Sequence, residues 1–254
     1  MNGELVSVNR HRLYVEAHGP VDGVPVVLLH HGLGAVNAWK GQIQPFADAG
    51  YRIITYDRWG YGRSDPRDHL SLPYFEEDLG DLEVLLDSLN IEQVALIGHS
   101  DGGTISLYYA VQNPVRVACM VITAAHIYVE AKMIPGIQGI HQAFTHDARM
   151  RAGLQRLHGD KVDSVFQGWY QGWIKPEHLG WDMRPILSRI ACPTLVVQGM
   201  EDDHATPKHA QDIAAEIPNA ELWLEPGAGH MLPQDFPEEF NKRVMRFLEI
   251  HHVQ

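Results

Sequence analysis

The chain has 254 residues, 45% of them hydrophobic, so it is long enough to bury one large core. Its 20 basic and 32 acidic residues give a net charge of −12, which argues against nucleic acid and anionic membranes as partners. Two cysteines, Cys119 and Cys192, are too few for a disulfide scaffold, and we predict buried free thiols. The first residues do not resemble a signal peptide and no apolar run could span a bilayer, so we expect a cytoplasmic protein.

Short apolar runs alternate with helical patterns along most of the chain. The predicted strands are residues 5–8, 13–17, 26–30, 52–56, 94–97, 117–123, 195–198 and 221–224. Several are almost wholly apolar, as is typical of parallel strands covered on both faces, whereas the first two alternate and predict an antiparallel entry. Apolar stripes at helical spacing include Phe75, Leu79, Leu82, Leu86 and Leu89, and later Phe236, Phe240, Val244, Phe247 and Leu248. The alternation predicts an α/β fold with a mostly parallel, eight-stranded sheet flanked by helices.

Residues 125–188 interrupt this alternation, because they contain helical patterns and no strand-like run. Three of the six tryptophans lie there, namely Trp169, Trp173 and Trp181. We therefore predict a helical cap, or lid, over residues 125–188, inserted into a core formed by residues 1–124 and 189–254. All three tryptophans are candidates for lining an apolar acyl or alcohol pocket, with Trp169 and Trp173 as the candidate substrate-binding residues and core packing as the alternative.

The segment Gly98-His99-Ser100-Asp101-Gly102 follows a predicted strand and leads into a helical pattern. It fits G-x-S-x-G, a pattern that places a nucleophilic serine on a tight turn between a strand and a helix. Residues two positions before and after such a serine must be small, and both are glycine here. The positive amino end of the helix would lie beside the hydroxyl. We predict Ser100 as a nucleophile, and an ordinary glycine-rich turn is the alternative.

A serine hydroxyl needs a base, and His230 lies in the glycine-rich segment EPGAGH just before the last helical pattern. Such a loop can carry an imidazole over the edge of a sheet, although a solvated loop histidine is the alternative. A third group must orient that imidazole. The segment GMEDDH, directly after a predicted strand, offers Glu201, Asp202 and Asp203, and the residues alone leave the choice among them open.

The chain order of serine, acid and histidine resembles that of the α/β-hydrolases, and the resemblance extends along nearly the whole chain. The family's acid loop, strand-G-x-x-D, implies that Asp202 is the acid, with its two acidic neighbours as alternatives. The backbone N–H of Asp101, the residue after the nucleophile, is expected to donate to the oxyanion. The family's His-Gly-x motif matches His31-Gly32-Leu33, which implies that the N–H of Leu33 is the second donor.

The segment YDRWGYGRSD, residues 56–65, resembles the family's D-x-R-G-x-G-x-S turn. Trp59 stands where arginine is usual, with Arg58 beside it. We therefore expect the turn itself, and the sequence leaves open whether the family's usual arginine contacts form. No nucleotide-binding or zinc motif occurs, and neither a cofactor nor a metal is expected. His204, His209, His251 and His252 are interpreted as surface residues rather than metal ligands.

Asp101 raises a problem, because a carboxylate beside a forming oxyanion repels it by several kcal/mol at an effective dielectric of about 20. Either the carboxylate turns away into local hydrogen bonds, or it faces the pocket and a cation neutralises it. The S-D-G-G elbow, the segment AVQNP at residues 110–114 and the pair Tyr128-Val129 resemble the biphenyl hydrolase-like branch of the family. That resemblance implies that Asp101 binds the ammonium group of an α-amino acid ester.

The predicted activity is that of a serine hydrolase whose partner is a small carboxylic ester, cleaved through an acyl-enzyme. Carbon–carbon bond hydrolases of ring-cleavage products and cofactor-free perhydrolases use a serine on the same scaffold, so both stay as alternatives. A small-molecule receptor with a hydrolase fold is the non-enzymatic alternative. Haloalkane dehalogenases are disfavoured, because they have aspartate where Ser100 stands. The natural substrate and the oligomeric state stay open.

Overall fold

The computed structural model describes residues 3–204 and 206–251. Within them, eight strands form one sheet in the order β1-β2-β4-β3-β5-β6-β7-β8. The strands are β1 (Glu4–Val8), β2 (His11–His18), β3 (Pro25–Leu29), β4 (Arg52–Asp57), β5 (Val94–His99), β6 (Val117–Thr123), β7 (Thr194–Gly199) and β8 (Ala220–Glu225). β2 pairs antiparallel with β1 and β4, and all other pairs are parallel. The predicted α/β sheet with an antiparallel entry is confirmed.

The parallel strands are apolar throughout because helices cover both faces of the sheet. Val27 and Leu96 belong to the buried cluster on one face, while their chain neighbours Leu28 and Ile97 belong to the cluster on the other. Successive side chains of a strand point to opposite faces, so a strand buried on both sides needs consecutive apolar residues. β5, at the centre, is buried at every residue.

The helices in the described residues occupy the expected connections. They are α1 (Ile43–Asp48), α2 (Glu76–Ser88), α3 (Asp101–Gln112), α4 (Met133–His146), α5 (Ala148–His158), α6 (Val162–Ile174), α7 (Arg184–Leu187), α8 (Pro207–Glu216), α9 (Leu232–Asp235) and α10 (Pro237–His251). The leucine stripe of α2 is buried against the sheet, and three acids occupy its first turn, where the helix dipole favours negative charge. None of the described helices is long and apolar enough to cross a membrane.

Helices α4 to α7 lie between β6 and β7, in the segment where no strand was predicted. We call this group the inserted helices. Phe144 of α4 stacks on Phe166 of α6 with ring centroids 3.7 Å apart, and both rings are buried. Trp181, after α6, packs against Trp173 and donates a hydrogen bond to the Tyr108 hydroxyl of α3. These contacts hold the inserted helices together and seat them over one edge of the sheet.

The register of the parallel strands decides which loops meet. Leu29 of β3 pairs with Gly98 of β5, and Gly199 of β7 pairs with Glu225 of β8. The loops that follow these four strands therefore leave from the same edge, the carboxyl edge, where open α/β sheets place their ligand sites. Away from this edge, Cys119 and Cys192 are buried and free, as predicted.

Candidate active site

Ser100 occupies a strained turn at the carboxyl end of β5, immediately before α3. Its φ of 54° and ψ of −118° lie outside the regions that L-residues usually adopt, at a cost of about 1–3 kcal/mol. The turn closes against the sheet, because a Cβ on Gly102 would lie 2.2 Å from the carbonyl oxygen of Leu29. A Cβ on Gly98 would lie 2.3 Å from the carbonyl oxygen of Gly102. Both positions thus exclude any side chain, as the sequence pattern requires.

Three side chains from distant parts of the chain meet at this turn. Nε2 of His230 lies 3.0 Å from Oγ of Ser100, and Nδ1 of His230 lies 2.8 Å from Oδ2 of Asp202. The Asp202 carboxylate accepts, so Nδ1 carries the proton and the lone pair of Nε2 faces the serine hydroxyl. Among the three acids of the β7 loop, Asp202 is the one in contact with His230, whereas Asp203 contacts His204.

Neighbouring groups hold this arrangement in place. Gln198 donates to Oδ2 of Asp202 at 2.6 Å, and the backbone N–H of His204 donates to Oδ1 at 2.8 Å. His99, fully buried, donates from Nε2 to the carbonyl oxygen of His230 at 2.8 Å. Burial and the nearby His230 lower the pKa of His99 to about 3, so it stays neutral. The sequence identified neither residue as a support. Gln198 lies only four residues before Asp202, but its bond depends on how the loop after β7 turns back, and His99 reaches His230 across 131 residues.

The expected oxyanion donors lie at the same edge. Asp101 begins α3, and the first N–H groups of a helix have no partner within the helix. The loop that carries Leu33 follows β3 next to the turn, where a Cβ on Gly32 would come within 2.8 Å of Oδ2 of Asp101. The N–H of Gly34 donates to the carbonyl oxygen of His31 at 3.0 Å, which folds this loop into a turn. The two amides therefore belong to adjacent backbone segments.

The Asp101 side chain, next to Ser100, pairs with a cation of the protein itself. Its Oδ2 lies 3.4 Å from Nη2 of Arg58, whose Nη1 lies 3.3 Å from Oδ1 of Asp78. Asp78 also contacts Arg67 at 2.8 Å, so two arginines face two aspartates in a buried cluster. Burial raises the pKa of the Asp101 carboxyl, and the Arg58 charge offsets only part of that rise.

These contacts show that an arginine of the turn after β4 does pair with nearby acids, a point that the sequence left open. Arg58, next to the substituted Trp59, supplies a contact to Asp101, and its guanidinium lies 4.4 Å from the centre of the Tyr61 ring. Oδ1 of Asp101 is buried and has no hydrogen-bond partner of good geometry. The Trp173 indole N–H is nevertheless close enough to the carboxyl to act against the rise of its pKa. The position of Arg58 directly after a parallel strand could have indicated that its side chain lies at the carboxyl edge of the sheet, near Ser100.

A small cavity of about 30 Å³ adjoins Ser100 and His230. The inserted helices line it with Met133, Ile137, Trp169 and Trp173, and the sheet edge adds Asp101, His126 and His204. Of the three tryptophans predicted to line a pocket, Trp169 and Trp173 line this cavity beside Ser100. Trp181 does not line it, and that part of the prediction is wrong, because Trp181 packs against Trp173 and bonds the Tyr108 hydroxyl instead. His126 was not predicted; burial and His230 lower its pKa to about 4, so it is a neutral wall of the cavity.

A second cavity, of about 260 Å³, lies between α6 and the loop after β4. Tyr61, Arg67 and Leu70 line it from the loop, and Gly168 and Gln171 line it from α6. Its lining includes none of the three side chains that meet at the turn, so size alone does not identify the site of chemistry.

Of the four histidines expected at the surface, His209 was predicted wrongly. It is fully buried, and its Nδ1 accepts from the N–H of Ile127 at 3.2 Å, because α8 turns this residue toward the end of β6. His204 and His251 are partly exposed, and His252 lies outside the described residues. Among the described residues, Asp202, His204 and His230 form a group whose ligand atoms lie within 4.8 Å, but two of them already hydrogen-bond each other. The expectation that no metal binds stays a prediction.

Comparison with known proteins fits this geometry. Residues 26–243 match the model of the alpha/beta hydrolase family. The chain belongs to this family. The hydrolase is 32% identical to "Serine hydrolase BPHL" of Homo sapiens, an alignment that covers 96% of this chain and 85% of the relative.

Two other similar proteins differ from each other in the substrate that they act on. The hydrolase is 28% identical to the 2-hydroxy-6-oxo-6-phenylhexa-2,4-dienoate hydrolase of Comamonas testosteroni, over 89% of this chain and 88% of the relative. A solved structure of Est816, an N-acyl homoserine lactone degrading enzyme, superimposes with a TM-score of 0.73 at 27% identity, over 96% of this chain and 100% of the other. The protein is therefore a hydrolase, and these relatives span more than one kind of substrate.

Proposed function

We propose that this protein is a serine hydrolase that cleaves a small carboxylic ester through an acyl-enzyme. The observation that carries the proposal is the hydrogen-bonded chain from Ser100 to His230 to Asp202, with distances of 3.0 Å and 2.8 Å. Nucleophile, base and orienting acid stand in the order and tautomer that serine acyl transfer requires.

In the proposed reaction, Nε2 of His230 takes the hydroxyl proton as Oγ of Ser100 attacks the ester carbonyl carbon. Asp202 stabilises the imidazolium that forms, and the imidazolium then protonates the departing alcohol. Water, deprotonated by His230, attacks the acyl-enzyme and releases the acid. The reaction consumes one water and returns all three side chains to their starting protonation states.

The backbone N–H groups of Asp101 and Leu33 hold the oxyanion of both tetrahedral intermediates in this proposal. A donor of this kind contributes about 3 kcal/mol to the barrier reduction. Arg58 supports the same step, because it neutralises the Asp101 carboxylate at 3.4 Å and thereby removes a negative charge beside the oxyanion.

The substrate is proposed to be a small ester whose apolar part contacts Trp169 and Trp173, and α-amino acid esters are a favoured subset. Oδ1 of Asp101 lacks a full hydrogen bond at the cavity wall and can accept from a substrate ammonium. Because Arg58 already shares this carboxylate, we expect only about a tenfold preference for a valine ester over its des-amino analogue. Asp101→Asn should remove that preference, and equal preferences in both enzymes would refute the ammonium contact.

The reaction itself is tested with p-nitrophenyl acetate and mass spectrometry. The wild-type enzyme should turn over repeatedly and carry a transient acetyl group on Ser100, whereas Ser100→Ala should keep its fold and lose activity by a factor of about 10⁶. Binding without repeated turnover would favour a receptor. Full activity in Ser100→Ala would exclude the proposed nucleophile.

A carbon–carbon bond hydrolase is the second candidate, and the similarity to the Comamonas testosteroni enzyme favours it. Its reaction would add water across a carbon–carbon bond next to a carbonyl group of a ring-cleavage product. A faster release of dienoate from such a product than of alcohol from small esters would promote this candidate over the esterase.

A further inference from the structure

His158, the last residue of α5, joins the inserted helices to two loops of the sheet edge. It is 2% exposed. Its Nδ1 accepts from the backbone N–H of Gly62 at 3.0 Å, and its Nε2 lies 3.2 Å from the carbonyl oxygen of Leu33. The donor at Gly62 fixes the tautomer, because the nitrogen that accepts cannot carry the proton. Nε2 therefore carries it and donates to Leu33.

The residue that receives this bond is the one whose N–H is the proposed second oxyanion donor. Within the turn at His31–Gly34, the Gly34 N–H is held by the carbonyl oxygen of His31 at 3.0 Å. His158 holds the carbonyl of the same Leu33–Gly34 peptide, so this peptide is fixed at both of its polar groups. The Leu33 nitrogen is bonded to the Leu33 Cα, which also begins the Leu33–Gly34 peptide. The position of the Leu33 N–H therefore depends on where the Leu33–Gly34 peptide lies.

We propose that His158 is a positioning residue of the oxyanion hole, through which the inserted helices set the place of the Leu33 N–H. This inference rests on the proposed serine hydrolase function. His158 does not touch the reacting atoms; it acts through the peptide that it holds. A displacement of such a donor by a fraction of an ångström weakens the interaction with the transition state far more than substrate binding.

The surroundings of His158 keep its imidazole neutral, as its two hydrogen bonds require. Burial, with Lys161 and Arg58 nearby, lowers the pKa of His158 to about 4, so the ring keeps one donor and one acceptor at neutral pH. The Tyr61 ring meets it edge-on at 5.9 Å. Lys161, three residues further on, donates to the carbonyl oxygen of Tyr61 at 3.1 Å and fastens the same end of α5 to the loop after β4.

The test compares two side chains of similar length at this position. In His158→Gln, the amide can accept from Gly62 and donate to Leu33, whereas the thioether of His158→Met can do neither well. We expect His158→Met to lower kcat for p-nitrophenyl acetate by about 10- to 100-fold with KM within about threefold of the wild type. The affinity for a trifluoromethyl ketone, which forms a tetrahedral adduct, should fall by the same factor. His158→Gln should recover most of both losses.

His178 provides the matched control. It is also a buried histidine between β6 and β7, in the connection from α6 to α7, but its Nδ1 donates to the carbonyl oxygen of Gly172 at 2.6 Å, in α6 and not in the turn at His31–Gly34. His178→Met should keep kcat within about threefold of the wild type. Should His158→Met fail to fold, His158→Asn replaces it, because its amide is too short to span both loops and should show the same kcat loss.

Three results would overturn the inference: a folded His158→Met or His158→Asn with kcat near that of the wild type, an equal loss in His178→Met, or a folded His158→Gln no better than the methionine variant. Failure of the proposed serine hydrolase function would show in two other measurements, made on Ser100→Ala and on the wild-type enzyme. If that function is wrong, Ser100→Ala keeps its activity, or the trifluoromethyl ketone does not bind the wild-type enzyme.

Discussion

Replacing Arg58 by methionine should destabilise the protein in a way that depends on pH. The guanidinium is 1% exposed and lies 3.4 Å from Asp101 and 3.3 Å from Asp78. At an effective dielectric of about 20, each contact corresponds to roughly 5 kcal/mol of Coulomb attraction, much of it offset by desolvation. Removing one partner of such a buried cluster leaves uncompensated charge and costs about 3–5 kcal/mol.

The cost falls mainly on Asp101, because Asp78 keeps its contact with Arg67 at 2.8 Å. Burial already raises the pKa of the Asp101 carboxyl, and without Arg58 that pKa rises further. A carboxyl with a raised folded-state pKa binds its proton more tightly when folded. The carboxyl therefore lowers the free energy of unfolding little at low pH and more as pH rises through its folded-state pKa. The full loss is about 1.4 kcal/mol for each unit by which the folded-state pKa rises further.

Urea unfolding at pH 5 and pH 8 measures this effect. The loss of unfolding free energy in Arg58→Met, relative to the wild type, should be larger at pH 8. The double variant Arg58→Met/Asp101→Asn has no carboxylate at that position, so its loss should be smaller and nearly independent of pH. An equal loss for the single variant at both pH values, or no recovery in the double variant, would refute the reasoning.

Three further changes have defined outcomes. Asp202→Asn should lower kcat about 10⁴-fold at an unchanged Tm, because the imidazole loses its tautomer, and a milder loss would point to another acid. Gly102→Ala should cost more than about 3 kcal/mol in urea unfolding, since its Cβ would lie 2.2 Å from the Leu29 carbonyl oxygen; a soluble, fully stable variant would contradict the elbow geometry. His99 and His126, with pKa lowered to about 3 and 4, take up protons on unfolding. The stability that they contribute is present above about pH 6.5 and falls by up to about 1.4 kcal/mol per pH unit for each histidine below it, so replacing either should flatten the acid side of the stability profile.

Local sequence patterns were sufficient for the sheet and for the turn at Ser100. A parallel strand that is buried on both faces must be apolar at consecutive residues, so β5 and its neighbours are visible in one short window. The glycines at 98 and 102 are visible for a similar reason, because the turn leaves no space for a Cβ. Both signals depend on residues close together in the chain.

Contacts between distant segments were not accessible in the same way. The choice of Asp202 from three adjacent acids came from the resemblance to the family, since all three share one local environment in the sequence. Arg58 and His158 reach their partners across 43 and 125 residues, respectively, and no spacing rule connects them. His209 lies on an amphipathic helix whose orientation is set by tertiary packing, and a polar residue gave no sign of its burial.

The cavity beside Ser100, at about 30 Å³, has room for one or two water molecules and not for an ester. In the proposed reaction, α4 or α6, or the side chains with which they line the cavity, would then have to move away from the sheet edge before substrate enters. A common gating step of this kind sets one ceiling on the rate for all fast substrates. Higher solvent viscosity slows this movement and leaves bond breaking unaffected. It should therefore lower kcat for reactive esters and leave kcat for unreactive esters unchanged.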